Sequence, residues 1–562
     1  MSSRILVIGG VATGPKAAAR LRRLNPDAEI TVVERQELIS YAGCGMPYYI
    51  EDIIKNYGDL LGGDIIRDTE YFKHQKGFTV LDRTEAKKIN RDKKTVTVED
   101  LRTGEIEELS YDKLVLATGA SPFVPRMEGT DLNGVYRLYN PQQAKAIKKH
   151  VEKDCGKVVV VGGGLIGIET CGAFVAQSCK TTVVEMMPTL VPNLLDAEMS
   201  LLLENYLRSR GVNVVKGSPV AMITGDGEGS VAGVETADGR VVEADLVIIA
   251  IGVRPNTELA VEAGLELGPT RAIAVDEYLR TSDPDIYAGG DCVECTHILT
   301  GEKVYAPLGS TANKHGRVIG DNIAGFETKF PGVCGTAVFR VLDWNCGTTG
   351  LTEEKARSLG YDVVTVITPR YDFASYIPGS EYTIIKLIAD RGSCKVLGCQ
   401  VVGPGEGIKR IDVIATALKF GSNLKGVADI DLGYAPAYST AIDAIAHAAN
   451  VARNKVQGIA HGVTPTELKE KLDSGEDFVL LDIRRREEYR EYSFKDPRTV
   501  NIPLDELEER LDELPGDREV IPFCVIGVRA YIAERRLRAL GYENVRFLDG
   551  CLTAWPFPDY LK

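Results

Sequence analysis

The stretch Val158-Val159-Val160-Val161 followed by Gly162-Gly163-Gly164-Leu165-Ile166-Gly167-Ile168-Glu169 narrows the choice of folds more than any other part of the chain. Four β-branched residues read as a short buried strand, and the complete Gly-x-Gly-x-x-Gly that follows reads as a tight turn into a helix. That turn lets backbone N–H groups and a helix N-terminus meet a pyrophosphate. Thr181 to Val184 forms the next strand and ends in Glu185. An acid there accepts hydrogen bonds from a free ribose 2′-hydroxyl and repels a 2′-phosphate, so NADH is expected over NADPH. Met186 and Met187 supply no cation to reverse the preference. The site residues expected are Gly162, Gly164, Gly167 and Glu185.

A related pattern opens the chain. Ile5 to Ile8 reads as a strand, Gly9-Gly10-Val11-Ala12-Thr13-Gly14 as the turn, Pro15 to Leu24 as the helix, and Ile30 to Val33 as a second strand ending in Glu34. Val11 stands where the middle glycine is usual. Two such patterns imply two bound dinucleotides and an α/β fold containing two Rossmann-like domains. Leu114-Val115-Leu116-Ala117-Thr118-Gly119-Ala120 and Val247 to Asn256 read as apolar strands that end in small residues. Ile286-Tyr287-Ala288-Gly289-Gly290-Asp291 adds a strand presenting an acid beside a glycine pair.

At 562 residues the chain exceeds a single core and should divide into about three to five domains. A formal charge of -14 without a compensating basic tract argues against a nucleic-acid partner. No apolar run approaches the roughly 18 residues needed to cross a bilayer. The twelve cysteines form no regular framework, which suits a reducing cytoplasm and thiols used for chemistry.

One of those cysteines stands apart. Cys44, in Ser40-Tyr41-Ala42-Gly43-Cys44-Gly45-Met46-Pro47-Tyr48, is surrounded by small residues that permit close approach of a flat cofactor and a substrate. With both glycine turns, the strand ends and Gly290-Asp291, the chain resembles the flavoprotein disulfide reductases over residues 1 to about 450. The resemblance implies that the first fold binds FAD through Gly9, Gly14, Glu34, Thr118, Gly119, Gly290 and Asp291, and that the second, inserted into it, binds the nicotinamide nucleotide. The FAD domain then spans 1–115 and 245–325, the NADH domain 116–244, and a mixed α+β dimerisation domain 326–452.

Segment 35–60 carries no cysteine besides Cys44, so a disulfide there needs a small thiol, or the sulfur cycles through a sulfenic acid. That pattern resembles the single-cysteine branch of the pyridine nucleotide-disulfide oxidoreductases: coenzyme A disulfide reductases, NADH oxidases and NADH peroxidases. The oxidases and peroxidases usually carry a histidine in the first glycine turn, where this chain has Ala12, which moves the expectation toward sulfur chemistry. Lys16, Arg20 and Arg23 recur at spacings of four and three along one helix face. They match the subfamily's coenzyme A phosphate positions, with Ser40 and Lys73 extending the contact. Gly43 departs from the asparagine usual before the cysteine. By the same resemblance, Tyr376 and Tyr434 are tyrosines that one subunit of a homodimer places over the reactive cysteine of the other, where a phenol can donate a hydrogen bond to a departing thiolate.

After an alanine-rich helix (Ala441 to Ala452), residues 453–462 read as a linker. Phe478 to Ile483 reads as a strand carrying Asp482, and Ile521-Pro522-Phe523 leads into Cys524-Val525-Ile526-Gly527-Val528-Arg529. Over 463–562 the chain resembles a rhodanese domain. The six-residue loop from Cys524 to Arg529 can turn backbone N–H groups toward the sulfur ahead of a helix from Ala530, which favours a thiolate or persulfide. The usual segment between Asp482 and Ile502 is replaced here by Tyr492-Ser493-Phe494-Lys495-Asp496-Pro497-Arg498. Cys292-Val293-Glu294-Cys295 has the spacing of a redox pair or half a zinc site, but no second ligand pair accompanies it, so packing is expected and no metal.

The resemblance and the site chemistry imply an NADH- and FAD-dependent reductase of sulfur–sulfur bonds, acting on coenzyme A persulfide, polysulfide or coenzyme A disulfide through Cys44. Cys524 is expected to handle sulfane sulfur, with Arg529 in its loop. The alternative is an NADH oxidase or peroxidase using a Cys44 sulfenic acid, with the rhodanese-like module as a noncatalytic adaptor.

Overall fold

The computed structural model describes residues 3–153 and 156–562. They fall into two compact units, Met1–Met186 with Ser218–Val333, and Met187–Gly217 with Cys334–Lys562.

The first unit is organised by a parallel sheet in the order Ile286–Ala288, Lys113–Leu116, Arg4–Ile8, Glu29–Val33, Thr79–Leu81. Both faces of this sheet are covered, which explains why its strands read as unbroken apolar runs rather than alternating ones. Ile5 and Val7 pack on one side with Ala17, Ala18, Leu21 and Ile319, while Leu6 and Ile8 pack on the other with Val96, Val98 and Leu116. The helix Thr13–Leu24 begins two residues before the expected Pro15. It lies tight against Gly309–Ile323, because a Cβ at Gly316 would stand 2.6 Å from the Thr13 carbonyl oxygen.

In the second Rossmann-like fold, Lys157–Val161 lies between Lys180–Glu185 and Leu246–Ile249, all parallel. Leu246–Ile249 therefore belongs to this fold, and the expected return to the first fold at 245 comes several residues too early. The reason is symmetry of construction: Leu246–Ile249 completes the second sheet as Lys113–Leu116 completes the first. The chain passes between the folds through an antiparallel ribbon, Ala120–Pro122 against Val253–Pro255. Two three-stranded meanders, Thr84–Asn90 to Ile106–Ser110 and Val220–Gly225 to Val241–Glu243, had no counterpart in the sequence reading.

The second unit contains a five-stranded antiparallel sheet, ordered Ala337–Val341, Trp344–Gly350, Val396–Pro404, Tyr382–Asp390, Val363–Tyr371. Under it Lys386, 1% exposed, is paired with Glu198 (2.6 Å), Glu353 (2.7 Å) and Asp196 (3.0 Å). A buried cation of this kind persists because three carboxylates repay its desolvation. The helix Ala444–Val456 runs on into the stretch expected as a linker. Lys455 near its end is drawn inward, bonding the Thr365 carbonyl (3.0 Å) and the buried Asp549 carboxylate, so the polar composition there marks a buried ion pair rather than a flexible tether. Gly462–Val463 then pairs with Phe547–Leu548, and the parallel trio Thr499–Asn501, Phe478–Asp482, Glu519–Phe523 forms the terminal α/β core. Phe494 packs edge-on against Phe523 and Trp555, which gives the altered segment after Asp482 a place in that core.

Candidate active site

Both glycine turns have the geometry that a dinucleotide needs. Gly9 and Gly162 take φ of +113° and +108°, values closed to most other residues. A Cβ on Gly14 would lie 1.9 Å from the Gly9 carbonyl oxygen, and one on Gly167 would lie 2.0 Å from that of Gly162, so each helix can close on its strand only with glycine there. At Gly164 and Gly119, by contrast, nothing lies within 4 Å of where a Cβ would stand, which leaves open backbone for a ligand. The two strand-end acids are placed alike. Glu34 accepts from the backbone N–H of Gly10 (2.6 Å) and Gln36 (2.8 Å), and Glu185 from that of Gly163 (2.6 Å). Burial pushes the Glu34 carboxyl up despite those bonds.

Thr118 donates to the Asn256 carbonyl (2.7 Å) and Asn256 donates back to that of Thr118 (2.8 Å), which ties the ends of the two expected strands together. The Gly290 N–H donates to His315 Nδ1 (3.0 Å). Burial pushes His315 down to about 4, so the ring is neutral and its proton sits on Nε2, 3.8 Å from Cys295 Sγ. Asp291 is pushed up to about 6 by burial alone. Cys292 is buried against the carbonyls of Gly289 (3.4 Å) and Leu116 (3.5 Å), and burial raises both Cys292 and Cys295. Both thiols are free and buried.

Cys44 occupies the single turn Gly43–Gly45 that enters the helix Met46–Ile50; the residue is exposed and not in a disulfide, while its sulfur is partly buried. The Ala42 N–H donates to the Leu60 carbonyl (2.7 Å), and a Cβ at Gly45 would strike Leu60 at 2.8 Å, so the small neighbours fix the turn. A Cβ on Gly309, the first residue of its helix, would stand 3.9 Å from Cys44 Sγ. Burial, then the charges of Glu169 and Asp291, raise the Cys44 thiol. Tyr48 donates to Glu169 (3.3 Å). Glu169 was passed over in the sequence reading, although it lies two residues beyond the last glycine of the second motif.

The basic face of the first helix is only partly as expected. Lys16 and Arg23 are exposed, but Arg20 is committed to Asp321 (2.5 Å). Three hundred residues of intervening chain hid that partner. Ser40, at φ +51°, is joined instead by Arg67, whose guanidinium donates to its carbonyl (3.1 Å) and reaches its hydroxyl (3.5 Å). Lys73 is exposed within Phe72–Lys76. Tyr376 and Tyr434 are 74% and 54% exposed, large aromatics left uncovered by their own chain.

In the terminal domain Cys524 is 1% exposed, yet its thiol is pulled down to about 6, first by its hydrogen bond with Cys551 and then, against burial, by the backbone N–H groups of Ala530, Gly527 and Ile526. The Gly527 N–H lies 3.1 Å from Cys524 Sγ. The helix starts at Val528 rather than Ala530, which brings Arg529 into its first turn. The Arg529 guanidinium makes a two-point pair with Glu488 (2.7 and 2.8 Å), which holds Glu488 at about 2, and that pair and, after it, the charge of Cys524 raise Arg529. Among the described residues no group of three or more potential ligands could hold a metal ion, and no helix is long and apolar enough to cross a membrane.

Family comparisons agree with this layout. Residues 3–316 match the pyridine nucleotide-disulphide oxidoreductase family, 336–446 its dimerisation domain, and 464–556 a rhodanese-like domain. The chain is similar to the solved structure of a NAD-dependent persulfide reductase from A. fulgidus, with 44% identity and a TM-score of 0.93 over 98% of this chain and 100% of that one. It is 38% identical to an NAD(P)H coenzyme A polysulfide/persulfide reductase of Pyrococcus horikoshii, over 79% of this chain and 97% of that one. It is 37% identical to a protein of Methanocaldococcus jannaschii named NADH oxidase, over 81% of this chain and 99% of that one. With more than half its length matched by one family model, the chain belongs to the pyridine nucleotide-disulphide oxidoreductases and carries their dimerisation domain and a C-terminal rhodanese-like domain.

Proposed function

We propose that this protein is an NADH-dependent reductase of sulfur–sulfur bonds, acting on coenzyme A persulfide, polysulfide or coenzyme A disulfide. The observation that carries the reading is the state of Cys44: a free, exposed cysteine in a turn of small residues, where the charges of Glu169 from the second fold and Asp291 from the first both bear on its sulfur. Gly9, Gly14, Glu34, Thr118, Gly119, Gly290 and Asp291 would hold FAD, and Gly162, Gly164, Gly167 and Glu185 would hold NADH. When bound, FAD supplies the electron pair delivered by NADH.

Once deprotonated, Cys44 attacks the sulfur–sulfur bond of the substrate: a bond from Cys44 to one sulfur forms, the substrate bond breaks, and one thiol or hydrosulfide leaves. The electron pair then opens the Cys44–sulfur bond, the second half leaves as a thiol or hydrosulfide, and Cys44 returns to the thiolate. Lys16, Arg23, Ser40 and Lys73, with Arg67 beside Ser40, would bind the anionic end of a coenzyme A substrate, while Arg20, paired with Asp321, would position the helix. In a homodimer the exposed Tyr376 and Tyr434 would cover the partner's Cys44 and donate a hydrogen bond to the leaving sulfur. Cys524, held as a thiolate at neutral pH, accepts sulfane sulfur as a persulfide. A reducing compartment such as the cytoplasm suits these thiols.

Replacing Cys44 with serine tests the reading. Sulfide release from coenzyme A persulfide should fall at least a thousandfold while NADH still bleaches the flavin; retention of sulfide release sinks the assignment. NADH oxidation by oxygen is the second reading, suggested by the M. jannaschii relative. That match covers 81% of this chain, whereas the persulfide reductase match covers 98% and so takes in the rhodanese-like domain.

A further inference from the structure

Next to Cys524 lies a second free cysteine. Cys551 is fully buried, its sulfur 4.0 Å from Cys524 Sγ and 3.3 Å from the Cys524 N–H. It also bonds the Leu548 carbonyl (3.2 Å). Its backbone is unusual: φ 49° and ψ -146° lie in a region otherwise nearly confined to glycine, directly after Gly550 at φ +68°. A side chain is thus kept where the backbone favours none, and that side chain is a thiol against the reactive sulfur. Leu552 N–H donates to the Cys524 carbonyl (3.2 Å) and Thr553 N–H to that of Val525 (3.0 Å).

We propose that Cys551 is a resolving thiol that discharges the Cys524 persulfide by forming a Cys524–Cys551 disulfide. The inference rests on the reading of Cys524 as an acceptor of sulfane sulfur. The Cys551 sulfur attacks the inner sulfur of the persulfide. The Cys524–Cys551 bond forms, the bond from Cys524 to the outer sulfur breaks, and hydrosulfide leaves with the outer sulfur reduced from the sulfane state. The Cys551 proton balances the step: persulfide anion plus thiol gives disulfide plus hydrosulfide. Two equivalents of a small thiol of the coenzyme A class reopen the bond and become a disulfide, itself a substrate for Cys44 under the proposed function. Burial holds the Cys551 thiol well above its ordinary value, so the discharge is slow and acts on persulfide that no acceptor has collected.

The test uses the full chain with FAD, loaded with inorganic polysulfide, desalted, and held without oxygen, thiol or NADH. Peptide mass spectrometry follows Cys524, and sulfide is assayed in parallel. In the unsubstituted chain Cys524 should first gain one sulfur, then become cross-linked to Cys551 as one sulfide per chain appears. Two variants remove the thiol: Cys551→Gly suits the backbone and folds without strain, and Cys551→Ser retains a hydrogen-bond donor. In both, the persulfide should outlive that of the unsubstituted chain at least tenfold and no cross-link should form. If Cys524 carries the extra sulfur but no cross-link appears, or if persulfide lifetimes match across the three proteins, the proposal is wrong. Restoration of the normal lifetime by serine alone would leave Cys551 a hydrogen-bonding role and also overturn it. If Cys524 gains no sulfur in any protein, the sulfur-acceptor reading fails first and the resolving role falls with it.

Discussion

The Cys524 loop makes a quantitative claim about charge that pH can test. Its thiol, ordinarily at 9.0, is lowered to about 6 by the Cys551 hydrogen bond and by N–H groups that include Gly527 at 3.1 Å. Three pH units correspond to about 4 kcal/mol of preference for the charged form. At pH 7 about nine tenths of Cys524 is then thiolate, against about one hundredth for an unperturbed thiol at 9.0. The sign is that of a depressed acid: the nucleophile is present above about 6 and is lost as pH falls through that value, so sulfurtransfer should be flat from neutral pH upward and drop about tenfold per unit below the midpoint. The assay is the ultraviolet thiolate absorbance difference between the Cys44→Ser protein and the Cys44→Ser, Cys524→Ala protein, titrated with FAD bound. Cys551→Ser should leave the midpoint near 6, and Cys551→Gly should move it upward. A midpoint at or above about 8.5 in the unsubstituted loop would refute the reasoning, because the oriented N–H groups would then not be stabilising a thiolate.

Other outcomes follow from the same structure. Lys386→Met strips the cation from Asp196, Glu198 and Glu353, and should destabilise the second unit by about 3–5 kcal/mol in denaturant unfolding. Burial acts to raise Glu353, but Lys386 and Arg357 together hold it below its ordinary 4.5, a stabilisation present above that value and lost as pH falls, so the gap between the proteins should narrow in acid. Arg67→Ala should raise KM for coenzyme A persulfide several-fold with flavin reduction by NADH unchanged, and an unaltered KM would remove Arg67 from the substrate site. Glu185→Ser should bring the NADPH and NADH rates about tenfold closer together, and an unchanged ratio would mean that Glu185 does not face the ribose.

What could be read from the sequence was chemistry written in consecutive residues. The two glycine turns, the turn around Cys44 and the loop from Cys524 to Arg529 each carry their geometry within a dozen positions, and the strand-end acids Glu34 and Glu185 meet their turns 24 and 22 positions away. What could not be read depends on pairs far apart along the chain. Arg20 meets Asp321 and Ser40 meets Arg67, partners that no local spacing reveals. Leu246–Ile249 is apolar enough for either sheet, and only its register with Lys157–Val161 assigns it. Lys455 looked like part of a polar tether until Asp549 came beside it. Cys551 has no motif at all: its meaning lies in a backbone angle and in a sulfur 27 positions away.

The central claim is that electrons from NADH end on a sulfur–sulfur bond at Cys44. The most direct measurement is NADH consumption without oxygen, given coenzyme A persulfide, with sulfide and free coenzyme A assayed together. One sulfide and one coenzyme A thiol should appear for each NADH consumed. NADH loss that requires oxygen and yields no sulfide would contradict the account and select oxygen as the acceptor.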